Sequence, residues 1–337
     1  MNEDTRDSID RLVTKIANKQ NGRFVKEALS ELVRLSLDDN LDSGDWKLLN
    51  RSVKELKQSF DVFSKYRKVR KVCVFGSART PEDHPEYLLA EAFSKQITDH
   101  DFMVITGAGD GIMGAGNKGA TREHSFGLNI ALPFEQSSNK YIENDPKLIS
   151  YKYFFIRKLF FIKESDATVL CPGGFGTLDE GYEGLTLLQT GKSMPRPVVL
   201  LANSGNDYWY KVREFISDVM LRDGYISKDD LSLFTICETA EQAVEVISSF
   251  YKRYHSIRYV GNETVLRLES MISDRDIEEL NDVFSDIISD KSLRIVEPFQ
   301  DEVRTRDHLK KPRLAFQFNR MNYGRLCDMI RWINARD

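Results

Sequence analysis

The sequence is poor in the residues that hold metals or form disulfides. It contains four cysteines and five histidines in 337 residues, and neither set shows the close spacing of a zinc site or a disulfide framework. The cysteines are Cys73, Cys171, Cys237 and Cys327, and the first three fall inside predicted strands. We therefore expect buried thiols in a reducing compartment and no structural or catalytic zinc.

Long apolar runs and an excess of basic charge are also missing. No apolar run approaches the roughly 20 residues that span a bilayer, and the acidic start, Met1–Asp4, lacks the apolar core of a signal peptide. The net charge is −4, which gives no electrostatic reason to expect nucleic acid or an anionic membrane as a partner. These absences predict a cytoplasmic protein without a nucleic-acid or membrane partner.

What the sequence does contain is a regular alternation of strands and helices between residues 69 and 254. The predicted strands are Val72–Gly76, Phe102–Thr106, Phe126–Leu132, Ala167–Cys171, Val198–Ala202 and Leu233–Cys237. The predicted helices are Tyr87–Asp99, Ile112–His124, a helix ending near Glu164, Leu178–Thr190, Tyr208–Arg222 and Ala240–Tyr254. This alternation predicts an α/β fold, a Rossmann-like parallel sheet with helices on both faces.

Two flanking regions differ from this central domain. Residues 1–68 show only helical patterns and are predicted to form a helical extension, packed on the main domain or on a neighbouring subunit. Residues 255–337 are predicted to form a small α+β module. Its expected elements are a strand at Val265–Leu268, a helix at Asp274–Ile288, a strand pair at Leu293–Glu297 and Leu314–Asn319, an exposed loop at Gln300–Lys311 and a helix at Tyr323–Asn334.

The most informative motif is Pro172–Glu180, which reads PGGFGTLDE and directly follows the strand Ala167–Cys171. Glycines allow the backbone to approach a ligand closely, and the N-terminus of the next helix presents unpaired N–H groups. The motif therefore predicts a phosphate-binding turn that needs no lysine. Thr177 and Glu180 also match the T-x-x-E capping box, a structural alternative that requires no substrate.

Two more glycine-containing turns follow other strands. Gly76-Ser77 ends the first strand, and Gly107–Gly111 ends the second. Residues Gly109–Gly114 match the dinucleotide fingerprint G-x-G-x-x-G by letter, but the match lies in the second strand–helix unit, and Leu132-Pro133 stands where a ribose-binding acid is expected. A site for a mononucleotide phosphate or ribose is the better interpretation. All three turns should meet at the carboxyl edge of the sheet.

A basic pair, Arg157-Lys158, lies near the start of an otherwise apolar helix. An arginine in aromatic surroundings is well suited to pair with a carboxylate or a phosphate. The structural alternative is a cation that extends from a core helix to solvent, which suits Lys163 better. Arg157 and Glu180 lie near the N-termini of consecutive helices, so we expect both at the same edge of the sheet.

These residues suit one reaction class in particular. The sequence has no nucleophile elbow, no metal-binding set and no Walker lysine. A carboxylate such as Glu180 can activate water or stabilise an oxocarbenium-like sugar, while bound phosphate positions the substrate. Hydrolysis of the N-glycosidic bond of a nucleoside 5′-monophosphate is consistent with this set, although physical reasoning alone does not require it.

At this point the sequence resembles the LONELY GUY (LOG) family of phosphoribohydrolases, often mislabelled as lysine decarboxylases. Pro172–Glu180 matches the family motif P-G-G-x-G-T-x-x-E in full, and Arg157-Lys158 matches its basic pair. Further matches are Gly76-Ser77, Gly107–Gly114, Glu183, Thr186, Gln189 and Gly191. The resemblance covers residues 70–253, and the segments at 75–81 and 132–136 look like those of the larger bacterial members.

The resemblance implies a nucleosidase that releases ribose 5-phosphate and a free base from AMP or an N6-modified AMP such as a cytokinin nucleotide. It implies that Arg157 and Glu180 are catalytic, and that the protein is a homodimer with its site near the subunit interface. The implied substrate-binding residues are Gly76, Ser77, Gly107, Gly109, Gly111, Met113, Lys158, Gly173, Gly174, Phe175, Gly176, Thr177, Glu183 and Thr186. No metal or cofactor is implied.

One residue departs from the family pattern. Ala108 replaces the middle glycine of a Gly-Gly-Gly turn, and we expect its methyl group to narrow the approach of the backbone to a ligand. A second functional hypothesis stays open, a non-catalytic nucleotide or molybdenum-cofactor carrier, because related folds carry that cofactor. The pairing of Glu180 with Arg157 favours the enzyme. The flanking regions are candidates for regulation or oligomerisation, and the C-terminal module for binding an effector.

Overall fold

A computed structural model describes residues 3–16, 22–37, 40–131, 137–289, 292–306 and 308–336. The segment 132–136, which holds a predicted strand end and part of the family resemblance, lies outside the described residues. The chain divides into two compact units, Met1–Gln58 and Ser59–Asp337. The predicted three-part division at residues 68 and 254 remains a prediction.

The first unit is helical, as the sequence predicted. Helices α1 (Glu3–Ile16) and α2 (Gly22–Ser36) contact each other, and Lys26 of α2 pairs with Asp10 of α1 at 2.7 Å. Helix α3 (Ser43–Phe63) begins in this unit and ends in the second. No helix among the described residues is both long and apolar enough to span a bilayer.

A seven-stranded parallel sheet forms the centre of the second unit. Its strands are β1 (Arg70–Phe75), β2 (Phe102–Thr106), β3 (Ser125–Ile130), β4 (Leu148–Tyr151), β5 (Ala167–Leu170), β6 (Val198–Leu201) and β7 (Thr235–Cys237). The order across the sheet is β4-β3-β2-β1-β5-β6-β7. Valines such as Val72, Val104 and Val169 are fully buried, as expected for strands covered on both faces. The predicted Rossmann-like fold is confirmed.

Among the described residues, six helices accompany this sheet; five lie between successive strands, and the sixth follows the last strand. They are α4 (Pro85–Thr98), α5 (Ile112–Ala120), α6 (Phe154–Glu164), α7 (Phe175–Gln189), α8 (Tyr208–Phe215) and α9 (Ala240–Phe250). A π-helical turn, Ile216–Leu221, extends α8, and 3₁₀ turns occur at Ser64–Tyr66 and Lys228–Leu233. Strand order reverses between β1 and β5, since successive strands are added on opposite sides of β1. Such a reversal opens a crevice for ligands at the carboxyl ends of the strands.

Several element boundaries differ from the prediction. Strand β4 was missed because Leu148–Tyr151 is short and adjoins an aromatic segment that resembled the start of a helix. Helix α5 ends four residues early, at Ala120, where Thr121 adopts a positive φ of 62°. Helix α7 begins three residues early, at Phe175. The last change matters for the site, because it moves Glu180 from the first turn of its helix into the second.

The C-terminal part forms a second, antiparallel sheet. Its strands are β8 (Tyr254–Val260), β9 (Glu263–Leu268), β10 (Arg294–Ile295) and β11 (Arg313–Phe316), in the order β10-β11-β9-β8. Three helices accompany them: α10 (Asp274–Val283), α11 (Gln300–Thr305) and α12 (Tyr323–Asn334). The predicted pair β10–β11 is confirmed. Strand β8 was missed, because the prediction extended helix α9 through Tyr254.

The predicted exposed loop at Gln300–Lys311 is wrong. Its first half is helix α11, and the Glu302 side chain is fully buried. The Glu302 carboxylate accepts hydrogen bonds from Arg267 at 2.7 and 2.9 Å and from Arg313 at 3.1 Å. Because Arg267 and Arg313 are buried against Glu302, these contacts hold α11 on the antiparallel sheet. Some of the charged side chains of this segment are therefore buried.

The C-terminal helix α12 contacts the end of α7. Gly191, just after α7, has a φ of +67°, and a Cβ atom there would lie 2.1 Å from the Tyr323 hydroxyl oxygen. Gln189 donates to Asp230 at 2.8 Å, and Arg331 donates to the Ser232 carbonyl at 2.7 Å. The helix that carries Glu180 is therefore held at its far end by residues from outside the central sheet.

Candidate active site

The three predicted turns meet at the crevice between β1 and β5. The Ser77 amide donates to the Pro172 carbonyl at 3.1 Å, and the Ile112 amide donates to the Ser77 carbonyl at 3.0 Å. A Cβ atom at Gly76 would lie 2.7 Å from the Ile112 side chain. Gly111 has a φ of +62°, and a Cβ atom there would lie 2.3 Å from the Ser77 carbonyl oxygen. These glycines let the turns pack directly on one another.

The turn before α7 is open on one side only. A Cβ atom at Gly173 would meet Thr177 Oγ1 at 2.1 Å and the Ser77 nitrogen at 2.9 Å, whereas Gly174 and Gly176 have nothing within 4 Å of the same position. The Tyr208 hydroxyl fixes the turn by donating to the Gly173 carbonyl at 2.7 Å. The first N–H groups of α7 therefore lie beside open space, which is the arrangement of an anion site at a helix N-terminus.

The capping-box interpretation of Thr177 and Glu180 is wrong. The N-cap of α7 is Gly174, and no side chain caps the helix. Thr177 is the third helical residue, and its amide already bonds to the Gly174 carbonyl at 3.1 Å. Glu180 lies one turn further along and is 7% exposed. Its carboxylate has no capping role and remains available for interactions in the cleft.

Glu180 is flanked by both members of the basic pair. Its Oε1 atom lies 3.3 Å from Lys158 Nζ and 3.8 Å from Arg157 Nη2. Lys158 Nζ also contacts Asp179 at 2.9 Å and Glu183 at 2.8 Å. The sequence predicted that Arg157 and Glu180 share one edge of the sheet. It did not predict that Lys158 is the closer cation, surrounded by three carboxylates.

Burial sets the electrostatics of this group. The Arg157 guanidinium lies 5.0 Å from the Phe154 ring and 5.5 Å from the Phe161 ring, and its Nε is buried without a hydrogen-bond partner among the described residues. Burial lowers the pKa of Arg157, against the opposing effect of Glu180. Burial likewise raises the pKa of Glu180, although Lys158 and Arg157 favour its ionised form. A carboxyl group tuned in this way is typical of catalytic sites.

The cleft that these elements enclose has a volume of about 660 Å³. Ten of the predicted residues line it: Gly76, Ser77, Gly107, Met113, Arg157, Gly174, Phe175, Gly176, Thr177 and Glu180. A volume of this size accommodates a nucleotide or a similar small molecule. The walls add apolar side chains that the sequence did not single out, namely Phe75, Ile130, Phe154 and Phe161.

Six predicted residues do not line the cleft. Gly109, Gly111 and Gly173 shape the turns, and the Gly109 carbonyl accepts a hydrogen bond from buried Asn139 at 2.9 Å. Lys158 and Glu183 pair with each other. Thr186 bonds within α7, to the Tyr182 carbonyl at 2.7 Å. Arg79 lines the cleft as an exposed cation and was missed, although it follows Gly76-Ser77-Ala78 in the same turn.

The prediction that the Ala108 methyl group narrows the approach of the backbone to a ligand is wrong. Ala108 has a φ of +61° and is fully buried, and it is not a lining residue of the cleft. A Cβ atom added to Gly127 of β3 would lie 2.9 Å from the Ala108 Cβ, so the methyl group faces β3. A positive φ of this size favours glycine over alanine.

Among the described residues, no group of three or more His, Cys, Asp or Glu side chains is placed to hold a metal ion. The four cysteines are free and buried, as predicted, and burial raises the pKa of the Cys73 thiol to about 12.

Comparisons with known proteins identify the central domain. Residues 113–247 match the family described as "Possible lysine decarboxylase", and curated relatives are LOG phosphoribohydrolases. This part of the chain is similar to the LOG phosphoribohydrolases. The cytokinin riboside 5′-monophosphate phosphoribohydrolase LOG3 of Arabidopsis thaliana is 26% identical over 188 residues, which cover 54% of this chain and 84% of LOG3. Arabidopsis LOG1 is 32% identical over 101 residues, covering 30% of this chain and 46% of LOG1.

Solved structures are also similar to part of this chain. The X-ray structure of the structural-genomics target TM1055 is 24% identical, with a TM-score of 0.38, and covers 52% of this chain and 97% of its own. The molybdenum cofactor carrier protein of Chlamydomonas reinhardtii is 21% identical, with a TM-score of 0.36, and covers 52% of this chain and 94% of its own.

Proposed function

We propose that this protein hydrolyses the N-glycosidic bond of a nucleoside 5′-monophosphate, AMP or an N6-modified AMP, to a free base and ribose 5-phosphate. One observation carries the proposal: buried Glu180 lies beside Arg157 and Lys158, in the same cleft as the open N-terminus of α7. The relatives LOG3 and LOG1 are named phosphoribohydrolases of cytokinin riboside 5′-monophosphates, which supports the same reaction class.

The substrate's 5′-phosphate is proposed to bind at the start of α7. The open positions Gly174 and Gly176 admit an anion to the helix N-terminus, whose dipole favours negative charge. Arg79 at the rim adds an exposed positive charge. Glu180 follows Gly176 by four residues, a rise of about 6 Å along a helix. Phosphate bound at the helix start therefore places the ribose beside the Glu180 carboxylate.

Glu180 is the group proposed to act on the sugar. In the ionised form it stabilises the positive charge that develops on the ribose as the C1′–N bond breaks, and it orients water toward C1′. The water oxygen bonds to C1′, one of its protons is released, and the departing base nitrogen takes up a proton. Lys158 and Arg157 favour the ionised carboxylate, against burial, which raises the pKa of Glu180. The apolar walls at Ile130, Phe154 and Phe161 suit a planar base.

The alternative hypothesis, a carrier without catalysis, explains less of the geometry. A carrier needs an anion site and an apolar wall, but it does not need a buried carboxylate held between two cations. Burying such a group is costly unless the charge is used or fully paired. Arg157 lies 3.8 Å from Glu180, and the closer cation, Lys158 at 3.3 Å, is shared with Asp179 and Glu183, so the charge of Glu180 is only loosely paired. A loosely paired buried carboxylate favours the enzyme.

We further propose a homodimer formed through α6 and the start of α7. Phe154, Phe155 and Leu159 of α6 are 50%, 56% and 48% exposed, and Phe175 is 94% exposed at the mouth of the cleft. Large apolar side chains clustered on one face are typical of subunit interfaces. The expected cytoplasmic location and the absence of nucleic-acid partners remain predictions.

Incubation with AMP tests the enzymatic proposal directly. We expect chromatography to show adenine and ribose 5-phosphate without added metal or cofactor. Glu180→Gln should lower kcat at least about a hundredfold, with the fold intact by circular dichroism. Glu183→Gln, which alters the same acidic cluster outside the cleft, is the matched control and should retain far more activity. No free base from a panel of nucleoside monophosphates, or full activity of Glu180→Gln, would falsify the proposal.

A further inference from the structure

A second cavity lies at the opposite edge of the parallel sheet. Its volume is about 420 Å³, and it lies among the end of α6, the 192–196 segment before β6 and the start of β8. Arg70 at the start of β1 and Asp166 before β5 also line it. Because Arg70 and Asp166 lie at the amino ends of their strands, this cavity is separate from the cleft at the carboxyl ends.

Positive charge dominates the lining of this cavity. Arg70, Lys163, Lys192 and Arg196 are its cations, and Asp166 is its one carboxylate among the described residues. Asp166 is already paired with Arg70 at 3.1 Å, and Lys163 pairs with Glu164 outside the cavity. His255 adds no negative charge, and burial lowers its pKa to about 4. Neither Lys192 nor Arg196 forms an ion pair in the part of the chain that the structure describes, and Asp166 acts on Arg196 only from a greater distance.

Arg196 is the unusual member of this group. It is 4% exposed, and its three hydrogen bonds all come from Nη1, to the carbonyls of Ile162 and Ser165 and to the Ser165 hydroxyl. Its Nε and Nη2 atoms are buried, with no hydrogen-bond partner among the described residues. A buried guanidinium with two unused donor groups is costly unless something compensates it.

We propose that this cavity binds an oxyanion, the phosphate or carboxylate group of a small metabolite, with Arg196 and Lys192 as its cationic partners. The guanidinium fork is suited to two oxygens of one such group. An anion there would neutralise the excess positive charge and lie beside the buried guanidinium of Arg196. Nη1 meanwhile remains bonded to the Ile162 and Ser165 carbonyls at the end of α6, the helix that carries Arg157. This site is independent of the proposed glycosidase activity.

The test uses the whole protein with inorganic phosphate, citrate and tungstate as probes. Crystals soaked in tungstate should show the anion in contact with Arg196, distinct from any anion at the start of α7. Calorimetric titration with phosphate should show affinity for this site weakened at least about tenfold in Arg196→Met. Lys192→Gln should weaken it a few-fold. Arg122→Gln, an exposed arginine on the turn after α5, is the matched control and should change nothing.

Comparison of phosphate with citrate identifies the ligand class, and tighter binding of either supports the site. Lys192 is exposed, so Lys192→Gln should fold even where Arg196→Met does not. The proposal is overturned if tungstate is absent from Arg196 and Lys192→Gln binds phosphate as the unaltered protein does. It is also overturned if Gly173→Ala abolishes phosphate binding while Arg196→Met and Lys192→Gln both leave it unchanged.

Discussion

At the residue scale, the least expected finding concerns Lys158. The sequence placed it among the substrate-binding residues, but its ammonium group lies within 3.3 Å of carboxylate oxygens from Asp179, Glu180 and Glu183. Burial lowers the pKa of Lys158, but these carboxylates outweigh that effect and raise it overall. We therefore regard Lys158 as a positioning residue that acts through Glu180.

Lys158→Met should change how activity depends on pH. Removing the ammonium group takes away the largest opposing influence on Glu180, so the pKa of that carboxyl should rise further above its ordinary value. The proposed mechanism needs the ionised carboxylate, so the acid limb of the kcat/KM profile should move to higher pH. Lys158→Arg retains the charge and should largely keep the original limb. A lower rate with an unmoved limb would show that Lys158 acts on packing alone.

Ala108 and Gly127 form a second residue-scale test. Gly127→Ala should lower the free energy of unfolding by roughly 1–3 kcal/mol, because the new methyl group would lie 2.9 Å from the Ala108 Cβ and 2.8 Å from Leu148 Cδ1. Adding Ala108→Gly should restore part of that loss. Urea unfolding of both single variants and the double variant measures the coupling, expected above about 0.5 kcal/mol.

The control for this pair is Gly184→Ala on α7. Nothing lies within 4 Å of a Cβ atom at Gly184, so the same substitution should leave stability unchanged or raise it by up to about 1 kcal/mol. Additive effects of Ala108→Gly and Gly127→Ala would show that the two positions do not share one packing space.

At the element scale, the start of α7 separates structural glycines from ligand-facing ones. Gly173→Ala should lower both the melting temperature and kcat/KM, because its methyl group would overlap Thr177 and the Ser77 amide. Gly174→Ala should leave the melting temperature unchanged, since its Cβ position is empty, and should raise KM by intruding on the proposed phosphate site. Thermal unfolding and steady-state kinetics of both variants provide the check. Equal losses of stability would contradict this assignment.

Helix α11 provides an element-scale test of buried charge. Glu302→Gln should cost roughly 3–5 kcal/mol of unfolding free energy, because it leaves Arg267 and Arg313 buried without their shared carboxylate. The control is Asp207→Asn in the exposed pair Lys211–Asp207, which should change stability by less than about 0.5 kcal/mol. Similar small effects at both sites would mean that solvent reaches the buried cluster.

The sequence predicted the elements of the central sheet better than it predicted their ends. Runs such as Phe102–Thr106 specify a strand by themselves, because every residue in them is apolar or β-branched. The residue at which α7 begins cannot be predicted from the sequence in the same way. The letters T-x-x-E fit a helix cap at Thr177, whereas the preceding glycine turn permits the helix to begin earlier. The carboxylates that pair with Lys158 could not be predicted from the sequence either, because they depend on how α6 and α7 pack.

At the scale of the whole molecule, the exposed apolar face of α6 and α7 makes a prediction about assembly. Sedimentation of the unaltered protein should show a dimer, and Phe155→Ser combined with Leu159→Ser should give folded monomers, because both side chains are about half exposed on one helix face. Leu88→Ser, which changes an equally exposed leucine on α4, is the control and should leave the dimer intact. A monomeric unaltered protein would refute the homodimer.

The contact between Tyr323 and Gly191 bears on how the chain can be dissected. A protein shortened after residue 254 would keep every strand of the parallel sheet, yet it would uncover the end of the helix that carries Glu180. Loss of the Tyr323 ring, which packs against Gly191, would leave an apolar surface exposed to water. Experiments that seek the smallest working fragment should therefore retain α12, and aggregation of shorter versions would trace to this lost cover.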